Sequence, residues 1–300
     1  MTNKLRPLLA TEVKNLKDLK LPMLASVKLD GIYALIVDGV IYSRSFKPIK
    51  NKHVQKLFGN HDLNGLVGEL VCGDVYAEDV FRQTTTATMA EDGVNDVKLY
   101  VFDDWSVGDK PYQERYQHYQ RRIKALNHGS IVALEHNMLH TIDEVITALD
   151  KEQKRNGEGI ILRLPSAKWK NGRSTPKSQE SVKLKFFEQQ EYKIVDVVER
   201  MHNANEARVN EMGYTERSSH KDNMIPMNTF GAFVMELQDG RNFNVGSGLG
   251  LTDAVRKEIW NNRDKYIGKI ATVRQMKVGS KNGIPRLPTF VGLRDKDDMS

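Results

Sequence analysis

The sequence predicts an α+β protein of two domains, in which a larger domain of strands and helices precedes a small β-barrel. Its 300 residues, 39% of them hydrophobic, are enough to bury two cores. Up to about residue 189, short apolar runs alternate with stretches of helical periodicity. From residue 190 onward, strand-like runs separated by turn dipeptides such as Asp239-Gly240 predominate. We therefore place the domains at residues 1–189 and 190–300.

The first domain begins with a strand that carries a lysine at its end. Met23 to Val27 is apolar, and Lys28 leads from it into a turn at Asp30-Gly31. A second apolar run ends at Asp38-Gly39, a dipeptide that favours a tight hairpin. The remaining elements follow from apolar periodicity and from capping and turn residues. The predicted strands are 40–45, 66–71, 97–105, 131–134, 158–163 and 181–187, and the predicted helices are 51–58, 79–90, 112–126 and 141–156.

The second domain reads as strands with a single helix among them. Strands are predicted over 192–198, 229–237, 241–245 and 269–278, and a helix over 252–262 with Thr252 as its N-cap. About five strands and one helix in such a length are typical of a barrel of the oligonucleotide-binding type, the OB-fold. The segment 201–228 between the first two strands is about as long as structureless loops become, and such loops are usually functional or disordered.

Composition and the N-terminal sequence indicate where the protein works. The single cysteine excludes an intrachain disulfide and a cysteine-built zinc site, and the N-terminus lacks the apolar core of a signal peptide, so we expect a cytoplasmic protein or one of a host-cell interior. No segment predicts a membrane span.

The net charge of +6 is concentrated in segments 43–60, 163–185 and 273–286. Clustered bases favour a polyanion such as nucleic acid, although a solvated basic surface is the common alternative.

Three groups of charged residues stand in strand positions where charge is costly. Lys28 ends a buried strand, where desolvation disfavours the ammonium form, and a neutral amine is a nucleophile. Glu69 interrupts the apolar run 66–71, so its carboxylate is paired, is a ligand, or faces solvent. Lys183 and Lys185 alternate with apolar residues, which puts both ammonium groups on one face of a strand. Taken singly, each of these patterns is more often a solvated surface feature.

Together, however, the charged motifs form an ordered set. They are Lys28-Leu-Asp-Gly31, Ser43-Arg44-Ser45, Gly68-Glu69-Leu70, Phe102-Asp103, Glu158-Gly159-Ile160 and Lys183-Leu-Lys185, followed by a barrel that ends at Pro285 to Arg294. Each short motif is weak alone, whereas six in order are specific. Their order resembles that of the covalent nucleotidyltransferase superfamily and, over most of the chain, that of the minimal two-domain ATP-dependent DNA ligases.

The resemblance implies an ATP-grasp-like nucleotidyltransferase domain followed by an OB-fold. It implies that Lys28 becomes adenylated by ATP, with Mg²⁺ or Mn²⁺ as the metal, and that the substrate is nicked double-stranded DNA. Residues that the resemblance assigns to the nucleotide are Ser26, Arg44, Glu69, Phe102, Glu158, Lys183, Lys185, Arg286 and Arg294. Glu69 and Glu158 would also be metal ligands. DNA contacts are expected from Arg44, Lys47, Arg173, Arg217, Lys221 and Lys281.

One departure from the family concerns Tyr33, which stands where the family usually has an arginine. A tyrosine can form a hydrogen bond but cannot neutralise a phosphate, so we expect this position to affect a step after lysine adenylation. The resemblance also makes segment 201–228 a latch that crosses the DNA, mobile without DNA and ordered on a nick. We expect a monomer without an obligatory protein partner.

Three alternatives to a DNA ligase remain at this point. An RNA ligase and a capping-type guanylyltransferase use the same lysine chemistry. A non-catalytic nucleic-acid-binding relative would retain the fold without the activity.

Overall fold

The chain divides into two compact units, Met1–Phe186 and Phe187–Ser300, in a computed structural model that describes residues 5–281 and 283–294. This division falls after Phe186, a few residues before the boundary that the sequence suggests. Both units are built mainly on antiparallel sheets with flanking helices, which confirms the predicted α+β class.

The first unit contains helices close to those predicted from the sequence. They are α1 (Lys52–Phe58), α2 (Val80–Met89), α3 (Tyr112–Leu126) and α4 (Ile142–Lys154). Two of them begin at side-chain caps: Asn51 accepts from the Val54 amide and Thr141 from the Glu144 amide. No helix in the described part of the chain is long and apolar enough to cross a membrane.

Strands of the first unit form two main sheets. The strands are β1 (Leu8–Leu9), β2 (Met23–Val27), β3 (Ile32–Val37), β4 (Val40–Ser43), β5 (Leu66–Cys72), β6 (Val97–Asp104), β7 (Ile131–Ala133), β8 (Asn137–Leu139), β9 (Gly159–Arg163), β10 (Gly172–Arg173) and β11 (Ser181–Lys185). A five-stranded sheet has the order β4-β3-β5-β6-β7, and a four-stranded sheet has the order β11-β9-β2-β8. A short parallel pair, β1 and β10, forms a separate two-stranded sheet.

Each sheet has its own apolar core. One core includes Ile36 and Leu70 of the five-stranded sheet together with Tyr119 of α3. The other includes Met23 and Leu162 of the four-stranded sheet with Val145 of α4. The structure contains the predicted hairpin, in which β3 pairs with β4. Asp38 and Gly39 form its turn, and both have the positive φ angles that such a tight turn requires.

The second unit is built on a five-stranded antiparallel sheet. Its elements are β12 (Phe187–Asn203), β13 (Ala207–Val209), β14 (Thr215–Arg217), β15 (Met224–Glu236), β16 (Asn242–Val245), α5 (Asp253–Asn261), β17 (Ile270–Lys281) and β18 (Ile284–Leu293). The sheet has the order β16-β15-β12-β17-β18. A parallel bridge between Gly248 and Phe290 links the segment after β16 to β18, so the two edges of the sheet approach each other. Buried Ile194, Phe230 and Phe233 contribute to the core of this unit.

Segment 201–228 contains strands, in contrast to the structureless loop that its length suggested. Its outer part is the hairpin β13–β14, and its inner part continues the β12–β15 pairing as far as Asn203 opposite Met224. At the base of the hairpin the buried Asn205 side chain donates to the carbonyls of Ser218 (3.0 Å) and His220 (2.8 Å). Side-chain amides thus replace the apolar core that a short hairpin lacks.

Candidate functional site

The site is organised around one buried carboxylate between two lysines. Glu158 lies directly before β9, and its Oε2 contacts the Nζ of Lys28, which follows β2. Its Oε1 lies 2.7 Å from the Nζ of Lys185 at the end of β11. Only 1% of the Glu158 side chain is exposed, against 18% for Lys28. Because β2, β9 and β11 are neighbours in one sheet, their ends bring these three residues together.

Two glycines make this convergence possible. A Cβ at Gly31 would lie 2.1 Å from the carbonyl oxygen of Leu70. A Cβ at Gly159 would lie 2.0 Å from the Leu184 carbonyl oxygen, and Gly159 has a φ of +144°. Any larger residue would push these backbones apart, so the glycines that follow Asp30 and Glu158 set the spacing of the site.

Charge and burial compete within this cluster. Burial disfavours the ionised form of Glu158, but the ammonium groups of Lys28 and Lys185 outweigh it and hold the pKa of Glu158 below its ordinary value. Burial lowers the pKa of Lys185, with Glu158 opposing that effect and the neighbouring lysines adding to it. Lys183, on the same strand face, pairs instead with Glu12 at 3.1 Å.

The lysine cluster opens onto a cavity of about 200 Å³ within the first unit. Phe102 of β6 and Ser26 of β2 lie in its wall, as do Arg44 after β4 and Arg173 of β10. An aromatic ring, hydroxyl groups and several cations therefore surround one space. The full lining is Leu8, Leu9, Ala10, Ser26, Val27, Lys28, Leu29, Tyr33, Arg44, Glu69, Phe102, Leu134, Ile161, Arg163, Arg173, Ser181, Lys183 and Lys185.

Arg163, the last residue of β9, is held behind Phe102 by a buried ionic network. Its Nη1 lies 3.4 Å from Asp103 Oδ2, and Asp103 also accepts from the Nε of Arg115 at 2.7 Å. The Arg163 guanidinium lies 4.8 Å from the Phe102 ring centroid and 5.0 Å from that of Tyr112. One carboxylate thus serves two guanidinium groups, and the surplus positive charge beside the cavity favours an anionic ligand.

Glu69 stands opposite Tyr33 in the β3–β5 pairing, and both residues line the cavity. Burial raises the pKa of Glu69 from its ordinary 4.5 to about 8; Lys28 opposes the rise, while Glu158 and Asp30 reinforce it. Glu69 is therefore largely protonated at neutral pH in the free protein, and a neutral carboxyl can donate a hydrogen bond.

The raised pKa predicts a pH-dependent stability. Between pH 4.5 and 8 the unfolded chain releases the Glu69 proton and the folded protein retains it, so folding stability falls as pH rises through this range. Glu69→Gln should therefore raise the Tm relative to the parent, by more at pH 9 than at pH 5, in thermal unfolding without nucleotide. The exposed Glu78→Gln serves as the matched control. An equal effect of Glu69→Gln at both pH values would contradict the assignment.

The residues predicted to bind DNA lie in both units. In the first unit, Arg44 is exposed, Lys47 lies in the same loop, and the Nη1 of Arg173 donates to the Ala10 carbonyl at 2.9 Å. In the second unit, Arg217 donates to the carbonyl of Asn205 at the hairpin base, and Lys221 is exposed nearby in sequence. The side chain of Lys281 lies outside the described residues.

Two further residues predicted to act on the nucleotide belong to the second unit. Arg286 lies in β18, where it pairs with Met276. Arg294 follows β18, and its Nε donates to the carboxylate of Glu191.

Sequence reasoning did not identify Arg163 as a site residue. It was noted as the end of a strand and as one member of a basic segment. The available clue was its position, because an arginine that closes the apolar run 159–162 resembles Lys28 at the end of β2. Its place in the cavity wall is evident only in the folded chain, where β9 lies between β2 and β11.

A family model described as "ATP dependent DNA ligase domain" matches residues 7–185, and one described as "DNA ligase OB-like domain" matches residues 226–294. A search of curated proteins gave no match.

Solved structures that resemble the chain include two of Chlorella virus DNA ligase-adenylate. One is 28% identical and covers 98% of this chain and 99% of that one with a TM-score of 0.55; the other is 26% identical and covers 96% and 99% with the same TM-score. A structure from a study of Lig E DNA ligases is 20% identical, covers 96% and 99% of the two chains, and has a TM-score of 0.70. At that identity the likeness supports the fold alone.

Proposed function

The chain belongs to the ATP-dependent DNA ligase family, and from this premise we propose that it seals nicks between a 3′-hydroxyl and a 5′-phosphate through an AMP carried on Lys28. The family match confirms the predicted DNA ligase over the RNA ligase, the guanylyltransferase and the non-catalytic relative. The observation that carries the proposal for Lys28 is its position: it contacts Glu158 at the mouth of a cavity lined by an aromatic ring and several cations.

These residues fit the parts of ATP. Phe102 offers a face on which adenine stacks, and Ser26 offers a hydroxyl on the neighbouring strand. Lys183 and Lys185 provide positive charge for the α-phosphate, and Glu69 provides a carboxyl group for the ribose. Arg44 at the cavity wall has the charge to bind the triphosphate or, later, the 5′-phosphate of the nick.

The first step is the attack of the Lys28 amine on the α-phosphorus. The N–P bond forms, the bond between the α-phosphorus and its bridging oxygen breaks, and pyrophosphate leaves. Lys28 must lose a proton before the attack, and Glu158 Oε2 is the carboxylate oxygen that its Nζ contacts. The cations around the cavity stabilise charge that develops on the phosphoryl oxygens.

In the second step, an oxygen of the DNA 5′-phosphate attacks the lysyl-AMP, which frees the Lys28 amine and forms a DNA-adenylate. The 3′-hydroxyl then attacks the 5′-phosphorus and AMP leaves. Both steps transfer a phosphoryl group, so the same cations serve again.

Glu158 and Glu69 are the proposed metal ligands. Among the described residues, no three or more acids, histidines or cysteines are grouped as a complete metal site. Two carboxylates nevertheless fit Mg²⁺ or Mn²⁺, because such ions usually keep water and nucleotide phosphates as their other ligands. A bound ion would supply Lewis-acid stabilisation of the phosphoryl oxygens.

DNA binding is proposed for basic residues of both units. Arg44 and Arg173 line the cavity and Lys47 lies in the same loop as Arg44, whereas Arg217 and Lys221 belong to the insertion in the second unit. Arg286 and Arg294 are proposed to bind the nucleotide, whereas Lys281 completes the proposed DNA-binding set. Contacts of this kind are to the phosphate backbone, so affinity for nicked duplex should fall steeply with salt and without sequence preference. The proposed active form is a monomer.

The proposal is tested by incubating the protein with α-labelled ATP and a divalent metal, followed by denaturing electrophoresis. We expect a labelled protein band that loses its label when nicked duplex DNA is added, with sealed product formed in its place. Nicked RNA and GTP serve as the competing substrates. A labelled band that transfers to RNA but not to DNA, or that forms only with GTP, would contradict the proposal.

A further inference from the structure

Two polar atoms in the cavity wall are buried without a hydrogen-bond partner among the described residues. They are the hydroxyl oxygen of Tyr33 and the Nε of Arg163. Both residues line the cavity. Most of the other buried polar side chains around them are paired, as Asp103 is with Arg115. An unpaired buried polar atom costs stability, and it is found where a ligand or water completes the bonding.

The surroundings of Tyr33 show that this hydroxyl is held in place. Its ring lies 5.8 Å from that of Phe102, and across the strands it stands opposite Glu69. Burial raises the pKa of Tyr33 well above its ordinary value, so the phenol stays neutral. Arg163, fixed by Asp103, lies against the ring of Phe102. The ring of Phe102 and the two unpaired atoms therefore belong to one part of the wall.

The chemistry of the missing partner follows from the two atoms. The Nε–H of Arg163 can only donate, and the phenol can donate or accept. A partner of the Arg163 Nε–H must therefore carry a lone pair, and the partner of either atom need not be charged. A phosphate is disfavoured as the partner of Tyr33, because a phenol cannot neutralise it and the lysines of the cavity can. A hydroxyl of the sugar or a ring nitrogen of the base has the required chemistry.

We propose that Tyr33 is a nucleoside-recognition residue of the lysine adenylation step, its hydroxyl forming a hydrogen bond to the sugar or the base of ATP beside Arg163. The assignment rests on the proposed function and extends it. It differs from the expectation that Tyr33 affects only a later step at the nick. The residue that replaces the family's arginine thus serves the nucleotide and leaves phosphate binding to the lysines.

Tyr33→Phe tests the assignment, because it removes the hydroxyl and keeps the ring. The matched control is Tyr100→Phe: Tyr100 stands opposite Glu69 on the other side of β5 and does not line this cavity. For each protein we would measure the ATP dependence of lysyl-AMP formation without DNA, the Tm with and without ATP, and the sealing of a nick that already carries a 5′-adenylate.

The ATP concentration for half-maximal adenylation should rise about three- to tenfold in Tyr33→Phe, the loss of one neutral hydrogen bond, and stay unchanged in Tyr100→Phe. Without ATP, the Tm of Tyr33→Phe should equal or exceed that of the parent, because an unpaired hydroxyl has been removed. ATP should raise the Tm of Tyr33→Phe by less than it raises the Tm of the parent. Because the DNA-adenylate carries the same nucleoside, its sealing is compared at saturating nick concentration, where the rate should not change.

Repeating the series with 2′-deoxyATP identifies the partner atom. A defect with ATP that disappears with 2′-deoxyATP assigns the bond to the 2′-hydroxyl, whereas an equal defect with both assigns it to the base or to another sugar atom. Unchanged ATP dependence in Tyr33→Phe, or a defect confined to the pre-adenylated nick, would overturn the assignment. A parent protein that forms no lysyl-AMP would overturn the proposed function itself.

Discussion

Lys28→Ala should form no detectable lysyl-AMP and seal no ordinary nick, yet still seal a nick that already carries a 5′-adenylate. The first two activities need the amine as a nucleophile, and alanine offers none. The last step needs only the binding of the DNA-adenylate and the attack of its own 3′-hydroxyl. A single substitution should therefore separate the steps, a pattern that unfolding cannot produce.

The experiment compares labelling by ATP and sealing of both nicks on one preparation. Lys14→Ala is the matched control, because Lys14 is exposed and does not line the cavity. Removing the Lys28 ammonium leaves Glu158 with Lys185 as its remaining ionic partner, so the Tm of the variant should be recorded as well. Normal labelling of Lys28→Ala would place the nucleophile elsewhere.

Glu158→Gln and Lys185→Met should each slow lysine adenylation by about 10²- to 10³-fold, as the loss of one preorganised charge does in other closed sites. Each substitution removes one side of the 2.7 Å contact between Glu158 Oε1 and Lys185 Nζ. Single-turnover rates of lysyl-AMP formation at saturating ATP report the effect without any contribution from DNA.

The double variant separates a shared role from two independent roles. If Glu158 and Lys185 act as one unit, the double variant should be little slower than either single variant. It also keeps the net charge of the cluster, because a carboxylate and an ammonium are removed together. Parental adenylation rates in both single variants would show that this cluster does not serve the chemistry.

Local patterns in the sequence single out two of the three residues in the central cluster. Lys28 ends an apolar strand, and Lys185 follows from the two-residue period of β11. Glu158 was assigned through the resemblance of its motif, and the structure shows why a glycine directly follows it. Local patterns cannot show which residues come together when they are far apart in the sequence, and Lys28 and Glu158 are separated by 130 residues. The ordered set of motifs supplied that link, and the strand pairing explains it physically.

The cavity wall behind the cluster could not be predicted in the same way. Arg163 depends on Asp103 and Arg115, which come from β6 and α3, and no local pattern distinguishes such a buried pair from a surface salt bridge. The same holds for the unpaired hydroxyl of Tyr33. The sequence shows that a tyrosine is present, but only the folded structure shows that its oxygen has no hydrogen-bond partner among the described residues. The strands within the insertion could not be predicted either, because side-chain amides, rather than apolar periodicity, hold its hairpin.

The way in which this hairpin joins the second unit determines where the chain can change in length. Met201, His202 and Asn203 are paired in register with Pro226, Ile225 and Met224, so one extra residue within this ladder would turn every following side chain to the opposite face. The tip at 210–214 is a turn that Asn210 closes through hydrogen bonds with Tyr214, and it lies outside this ladder. A Cβ at Gly213 would meet open space, so a change of length there meets no neighbouring element. Evolution can therefore lengthen or shorten the tip of the insertion while the core of the second unit stays unchanged.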